Sequence, residues 1–204
     1  MSSHPPVPSE HNFLKILKTM LSWKMAVMFF FGFSSGLPFY IIKDVLKLWM
    51  TDNQVDIGTI GLFALLGMPY TLKFIWSPMM DGIVPPFLGR RRGWILTTQI
   101  GLMITIAILG QFDPKTSLWW IAFFALCVNF FGASQDISLD AFRREYLSSD
   151  ELGFGTGVWM NAWRLGTFFS VGLSVLADHD IEWSTIFFLL SGLMGIGVLT
   201  NLMV

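Results

Sequence analysis

The chain has 204 residues, of which 53% are hydrophobic and 13% are charged, and its formal net charge is -1. Soluble domains carry about 25% charged residues, so a water-soluble core could not hide this much apolar surface, and lipid must surround much of the chain. The near-zero charge excludes a generally basic nucleic-acid binder. The single cysteine, Cys127, excludes an internal disulfide and a cysteine-based zinc site.

Residues 1–22 are polar and rich in proline, and no small-residue cleavage site precedes the first long apolar run. A secretory signal peptide is therefore not expected. We interpret residues 1–22 as a cytoplasmic N-terminal segment and residues 23–204 as one transmembrane domain.

Six apolar runs follow, and each is long enough to supply the ~20 helical residues that cross a bilayer core. They cover residues 23–42 with a helical continuation to 49, then 57–80, 93–112, 118–140, 153–177 and 184–204. The connections are short, which favours antiparallel neighbours. The expected fold class is all-α, a polytopic membrane bundle of six transmembrane helices.

Basic residues are concentrated at one side of this predicted bundle. That side carries Lys15, Lys18, Lys24, Arg90, Arg91, Arg92, Arg143 and Arg144, whereas the other carries Lys115 alone among six acidic residues. Because lysine and arginine are retained in the cytoplasm, the N-terminus and both arginine clusters are expected to be cytoplasmic.

The fifth run contains the deepest charge in the sequence. Arg164 lies about 16 Å from the start of that run, near the bilayer midplane, where a charge costs roughly 2.5–3.5 kcal/mol. Asn161 shares its face, and Trp159 and Trp163 form a neighbouring stripe. We interpret the four as candidate substrate contacts, since a guanidinium suits a carboxylate. A structural ion pair between Arg164 and Asp136 is the alternative.

Three lysines also lie within or against the runs. Lys73 is close to the cytoplasmic end of the second run, where it either snorkels to the surface or faces the bundle as a substrate contact. Lys43 and Lys47 are expected to reach the outer interface and to snorkel there, with a partner such as Asp44.

The fourth run ends in GASQDISLDAFRREYL, residues 132–147, which contains two aspartates four residues apart. Asp136 is the deeper one and has no local partner. It is a candidate proton carrier, with a structural pair to Arg164 or Lys73 as the alternative. Asp140 is expected to pair with a following arginine at the boundary.

Charges in the loops suggest a latch that holds one conformation and releases it in another. In SPMMDGIVPPFLGRRRGW an acidic residue at a helix end faces an arginine cluster. Ordinary enrichment of basic residues in the cytoplasm is the alternative. The candidate latch residues are Asp81, Arg90, Arg91, Arg92, Asp140, Arg143 and Arg144.

Small residues and prolines predict where helices touch and bend. The pairs Gly32/Gly36 and Gly153/Gly157 match the small-xxx-small pattern of close helix contact. Pro38 and Pro69 are expected to bend the first and second helices.

No Walker loop, dinucleotide fingerprint, GxSxG or HExxH is found, and the three histidines lie outside the runs. The chain is therefore not expected to be an enzyme or to bind a metal or a cofactor.

Four segments together resemble one transporter family. GFSSGLPF, TIGLFALLGMPYTLKFIWSPMMD, LGRRRGW and ASQDISLDAFRREYL are similar, in this order, to the AmpG-type muropeptide permeases of the major facilitator superfamily. The resemblance covers about residues 25 to 200. It implies proton-driven import of anhydro-muropeptides across the bacterial inner membrane for cell-wall recycling. It also adds Gln135, next to Asp136 in the fourth-run motif, to the candidate substrate contacts.

The resemblance has one departure. Family members have two six-helix halves around a central cavity, and this chain provides one, which resembles the N-terminal half. A second six-helix half is therefore an expected partner if the chain is a fragment. The alternatives are a related carrier of another anionic solute such as acetyl-CoA, or a truncated membrane protein that does not transport.

Overall fold

A computed structural model of the protein describes residues 22–178 and 181–204. In these ranges all regular secondary structure is helical, which confirms the all-α class. The predicted N-terminal segment lies outside them apart from residue 22. The helices are α1 (Trp23–Asp52), α2 (Ile57–Leu72), α3 (Ser77–Gly82), α4 (Arg90–Leu109), α5 (Leu118–Tyr146), α6 (Ser149–Val175) and α7 (Trp183–Met203).

The first helix changes type in its middle. Regular α-helix from Trp23 to Tyr40 contains Pro38, and a π turn follows at Ile41–Val45 before the α-helix resumes at Leu46–Asp52. Proline has no N–H to donate to the preceding turn, and single π turns relieve such local breaks. The sequence predicted a bend at Pro38, and the structure shows a π turn that begins three residues after it.

The second apolar run is interrupted, in contrast to the expected continuous helix over residues 57–80. Within α2, a 3₁₀ turn at Ala64–Gly67 precedes Pro69, which lies in the first turn of Met68–Leu72. Turns at residues 73–76 then lead into α3, which also has a proline in its first turn. Each proline is placed where a missing N–H costs least, and the run is divided at those points.

Within the described ranges four helices, α1, α4, α5 and α7, are long and apolar enough to cross a membrane. The 27-residue α6 has the length but is not among the four, and α2 belongs to the shorter apolar helices. Many large apolar side chains are exposed on the bundle surface, including Phe168 and Phe188. Such a surface suits lipid rather than water.

The bundle has two ends. We call the end that contains residues 81–92 and 140–151 the arginine end, and the end that contains residues 50–57 and 110–118 the distal end. Helices α4 and α7 are tied at the arginine end, where Arg92 donates to the Asn201 carbonyl at 2.6 Å and Asn201 donates back to the Arg92 carbonyl at 2.9 Å. At the distal end, the Trp183 indole donates to Asp52 at 2.8 Å.

The closest helix contact joins α1 and α6. A Cβ on Gly32 would lie 2.6 Å from the Trp159 carbonyl oxygen, and a Cβ on Gly36 would collide with the Trp163 carbonyl oxygen. Gly166 of α6 meets the α1 backbone in the same way. The prediction for Gly32 and Gly36 is therefore confirmed.

The prediction for Gly153 and Gly157 is wrong in the described part of the chain, where no neighbouring atom lies within 4 Å of a Cβ built on either residue. The glycines of α6 that lie close to neighbours are instead Gly155 and Gly166. They lie on the face that turns towards α1, whereas Gly153 and Gly157 lie on another face of α6.

The start of α6 is fixed by a capping box. The backbone N–H and hydroxyl of Ser148 donate to Glu151 at 3.0 and 2.9 Å, and Lys24 of α1 donates to the same carboxylate at 2.7 Å. These hydrogen bonds, with that from Lys24 the strongest influence, hold the pKa of Glu151 below its ordinary value of 4.5, at about 2. Glu151 precedes the apolar part of α6.

Candidate functional site

Two cavities lie one after the other along the bundle. The distal cavity has a volume of about 630 Å³ and is lined by α1, α2 and α5. The inner cavity, about 310 Å³, lies towards the arginine end and is lined by α1, α2, α5 and α6. Phe39 and Tyr70 line both of them.

The inner cavity contains the aspartates singled out in the sequence. Asp136 pairs with Lys73, which lies in the turn after α2. The two side chains are 36% and 33% exposed. The interruption of the second run places Lys73 opposite α5, so the ammonium reaches the carboxylate instead of the surface. Of the alternatives for Asp136, the structure thus shows the contact with Lys73.

Asp140, one turn further, pairs with Arg143 at 2.8 Å, as expected for an interfacial aspartate. The Arg143 guanidinium also lies over the Trp159 ring, 5.2 Å from its centroid. Trp159 is only 4% exposed, and its ring is therefore engaged by protein atoms. The inner cavity consequently holds two carboxylates, each with its own cation.

Aromatic rings separate the two cavities. The Phe39 and Tyr70 rings meet edge to face at a centroid distance of 5.2 Å, and Trp163 lies 5.7 Å from Phe39. A Cβ on Gly132 of α5 would collide with the Tyr70 hydroxyl. The glycine therefore makes room for the tyrosine where the two cavities adjoin.

Gln135, beside Asp136, is buried on another face of α5. It is 1% exposed, and neither atom of its amide has a hydrogen-bond partner within the part of the chain that the structure describes. An unpartnered buried amide costs about 1–3 kcal/mol. Gln135 does not line either cavity, so it is separated from the other predicted substrate contacts.

Arg164 and Asn161 are exposed on α6 and do not line the inner cavity. Among residues 22–178 and 181–204, no salt bridge to Arg164 occurs, and the Asn161 amide donates to the Gly157 carbonyl of its own helix. The alternative of an Arg164–Asp136 pair is not seen. The predicted substrate residues therefore divide into two groups, with Trp159, Trp163 and Lys73 near the cavities.

The predicted latch residues meet at the arginine end. Arg91 donates to Asp81 at 2.5 Å and to Glu145 of α5 at 2.8 Å. Arg90 reaches the Asp81 carbonyl at 3.4 Å, Arg92 binds α7, and Arg144 is exposed. Within the described residues, Arg91 of α4 is thus the arginine of this cluster that binds both α3 and α5.

Sequence reasoning missed Phe39, Tyr70, Glu145 and Asn129. Tyr70 precedes Lys73 by three residues, a spacing that could have signalled a shared face. The four share no motif, and each is brought to its site by contacts between helices. Within the described ranges, no group of three or more histidine, cysteine, aspartate or glutamate side chains could hold a metal ion.

Comparison with known proteins assigns this arrangement to a family. The model of the Major Facilitator Superfamily matches residues 12–204, nearly the whole chain. The chain belongs to the major facilitator superfamily. The superfamily match agrees with a helical bundle whose charged residues surround internal cavities, and it confirms the resemblance noted in the sequence.

Three proteins with similar sequences illustrate the relationship. The Anhydromuropeptide permease of Escherichia coli (strain K12) is 42% identical over 84% of this chain and 35% of its own length. An uncharacterized protein of Haemophilus influenzae is 44% identical over 80% of this chain and 39% of its own length. Putative transporter AmpG 1 of Rickettsia conorii is 29% identical over 84% of this chain and 42% of its own length. The chain thus spans 35% to 42% of the length of these relatives.

Proposed function

We propose that the chain is part of a secondary transporter that imports anhydro-muropeptides across the bacterial inner membrane, driven by protons. The similarity to the Escherichia coli permease carries this proposal, because it extends over most of the chain. The paired charges in the inner cavity support it, since ionisable groups inside a membrane bundle mark solute or proton paths.

We infer that all six runs cross the membrane. The divided run of α2 and α3 leads from the distal end to the arginine end, and α6 packs along α1, which is itself long enough to span. The arginines favour a cytoplasmic arginine end, and with it a cytoplasmic N-terminus. The distal end would then face the periplasm.

The proposed coupling group is Asp136. When its carboxylate is charged it holds Lys73, and protonation removes the charge that attracts the ammonium. Release of Lys73, which lies in the turn between α2 and α3, would free the interrupted segment to move. A proton would in this way be linked to a change in helix arrangement. A purely structural pair is the alternative.

The proposed substrate contacts lie on α6 and beside the inner cavity. Arg164 and Asn161 are exposed, so their donors are available to a carboxylate or a sugar hydroxyl of the solute. Trp163, Trp159 and Gln135 remain candidates on the strength of the family motif and residue type.

The charges at the arginine end are the proposed latch. Arg91, held by Asp81 and Glu145, closes the cytoplasmic side, and the pair of Asp140 and Arg143 lies just inside it. The other members, Arg90, Arg92 and Arg144, supply positive charge around these contacts.

A second six-helix half is the proposed partner. It would cover the polar exposed face of α6, because Arg164 facing lipid near the midplane would cost roughly 2.5–3.5 kcal/mol. Facilitators enclose their solute between two such halves.

The test is uptake of labelled anhydro-muropeptide by vesicles that carry the chain together with the proposed second half, with and without a pH gradient. We expect uptake that follows the gradient, and we expect Asp136→Asn to lose this dependence. Gradient-driven uptake that persists in Asp136→Asn would reject the coupling role. Absence of any uptake by the parent protein favours a related carrier or a membrane protein that does not transport.

A matched variant tests the substrate contact. Arg164→Ala is expected to abolish uptake while its amount in the membrane equals that of the parent. Uptake at the parental rate would show that Arg164 does not bind the solute.

A further inference from the structure

The distal cavity differs from the inner one in its charges. Its lining contains Lys43 and Lys47 of α1 and Asn129 of α5, and the remaining residues are apolar apart from Tyr70 and Thr71. No aspartate or glutamate lines it. Its volume of about 630 Å³ is in the range of small-molecule sites. The cavity is therefore large enough for a solute and carries only positive charge.

Lys43 does not reach outward, in contrast to the expectation from the sequence. The Lys43 ammonium lies over the Tyr40 and Phe39 rings, 5.2 and 5.9 Å from their centroids. These rings belong to the preceding turn of α1, towards the middle of the bundle. A snorkelling side chain would extend in the opposite direction, to the distal end. Lys43 instead stays folded back along the cavity wall.

Neither lysine is neutralised by protein. Salt bridges to Lys43 and Lys47 are absent from the described part of the chain, and the adjacent Asp44 is not part of the cavity lining. Both lysines are exposed and keep water around them, but two like charges in one cavity repel each other. An anion placed between them would offset that repulsion.

The two ammonium groups are the donors that the cavity presents. Each has three N–H groups and no acceptor, and a carboxylate offers acceptors only. Asn129 also lines the cavity, but its amide nitrogen is buried from solvent and does not present its N–H groups there. The charge of the lining therefore comes from Lys43 and Lys47 alone.

The π turn at Ile41–Val45 aligns these donors. In a straight α-helix, residues spaced four apart drift gradually around the axis, because four residues exceed one turn of 3.6. The wider π turn counteracts that drift. Phe39, Lys43 and Lys47 consequently line the same cavity.

We propose that the distal cavity is a separate subsite that binds a peptide carboxylate of the transported solute through Lys43 and Lys47. The inference rests on the proposed function, which supplies a solute with carboxylates. The Phe39–Tyr70 contact separates this subsite from the Lys73–Asp136 cavity.

The test uses calorimetric titration of the protein in phosphatidylcholine nanodiscs. The probes are an anhydro-muropeptide with free carboxylates and the same compound with those groups converted to carboxamides. The parent protein is expected to bind the carboxylate form about tenfold more tightly, as for charge-assisted hydrogen bonds. Lys43→Met/Lys47→Met should reduce this preference, whereas Lys43→Arg/Lys47→Arg should keep it. Lys115→Met, an exposed distal-end lysine outside the cavity, is the control and should also keep it.

The outcomes separate the two proposals. Equal binding of both probes by the parent, or an undiminished preference in Lys43→Met/Lys47→Met, overturns the subsite and leaves muropeptide transport intact. Binding of neither probe by the parent contradicts the proposed function and the subsite together.

Discussion

The ion pair of Lys73 and Asp136 is intermediate in burial. Each side chain is about a third exposed, so the pair is neither a fully buried ion pair nor a surface contact. Fully buried pairs are costly to break, whereas surface pairs contribute little. An intermediate pair can open without unfolding the bundle, which is what a proton-dependent contact requires.

A double-mutant cycle measures this contact. Lys73→Met and Asp136→Asn are each expected to lower the free energy of unfolding by about 1 to 2 kcal/mol, since each leaves a partly buried group without its partner. The double variant should lose less than the sum. Thermal unfolding in detergent provides the measurement, and Lys115→Met is the control. Strictly additive losses would show that the two groups do not interact.

The sequence predicted these residues better than their partners. Asp136 and Lys73 were singled out because charges in apolar runs are costly, but they are 63 residues apart, and the pairing depends on how α2 ends. The direction of Lys43 was predicted wrongly, because its ammonium lies over the Tyr40 and Phe39 rings, whose orientation the sequence does not show. Asp140 and Arg143 were predictable since they lie on one helical turn.

At the scale of the element, the glycines of α1 determine how closely α6 can approach. Gly36→Ala is expected to lower the free energy of unfolding by about 1–3 kcal/mol, because its methyl group would collide with the Trp163 carbonyl. Gly153→Ala, in open space on α6, should instead stabilise by up to about 1 kcal/mol. Thermal unfolding of the two variants is compared directly. A neutral Gly36→Ala would contradict the close contact.

The capping box of α6 gives a pH-dependent prediction. Because the pKa of Glu151 is lowered from 4.5 to about 2, its ionised form stabilises the folded protein above about pH 4.5, and this contribution is lost as the pH falls towards 2. The difference in melting temperature between the parent and Glu151→Gln should therefore be constant from pH 7 to 5 and shrink below. Asp150→Asn, next to it in the same turn, is the control. A difference that vanishes by pH 5 would contradict the assignment.

Helix ends and breaks were harder to predict than helix existence. The runs over 93–112 and 184–204 correspond closely to α4 and α7. The α5 helix continues to Tyr146, beyond the apolar part, because its last turns are held by polar contacts rather than by lipid. The second run appears uniform in hydrophobicity, yet Pro69 and Pro78 divide it. The positions of the prolines, rather than the length of the apolar run, indicate where the helix is divided.

At the scale of the molecule, helix pairs repeat in a two-fold pattern. The contact between α1 and α6 corresponds to the contact between α5 and α2. The contact between α4 and α5 corresponds in the same way to the contact between α7 and α1. This is the relation expected if two three-helix units are joined with inverted topology. The cavities lie where the two units meet, between α1, α2 and α5. The pattern could not be seen from the sequence, because the two units share no obvious motif.

The arginine end is expected to respond to a single substitution. Arg91→Gln removes both contacts that join Asp81 and Glu145, so the segment 82–90 and the end of α5 should exchange backbone hydrogen faster. Hydrogen exchange with mass spectrometry measures the change. Arg144→Gln alters an exposed arginine of the same cluster and should leave the exchange as in the parent. Equal effects of the two variants would mean that general charge, not the Arg91 contacts, orders this end.

The backbone contact between α1 and α6 restricts how the bundle can rearrange. With Gly36 against the Trp163 carbonyl and Gly166 against the Phe33 carbonyl, axial sliding of either helix would drive side chains into main-chain oxygens. The two helices therefore move as one rigid unit. Flexing is then left to the chain between Ala64 and Trp76, where 3₁₀ geometry and successive turns replace a continuous hydrogen-bond ladder.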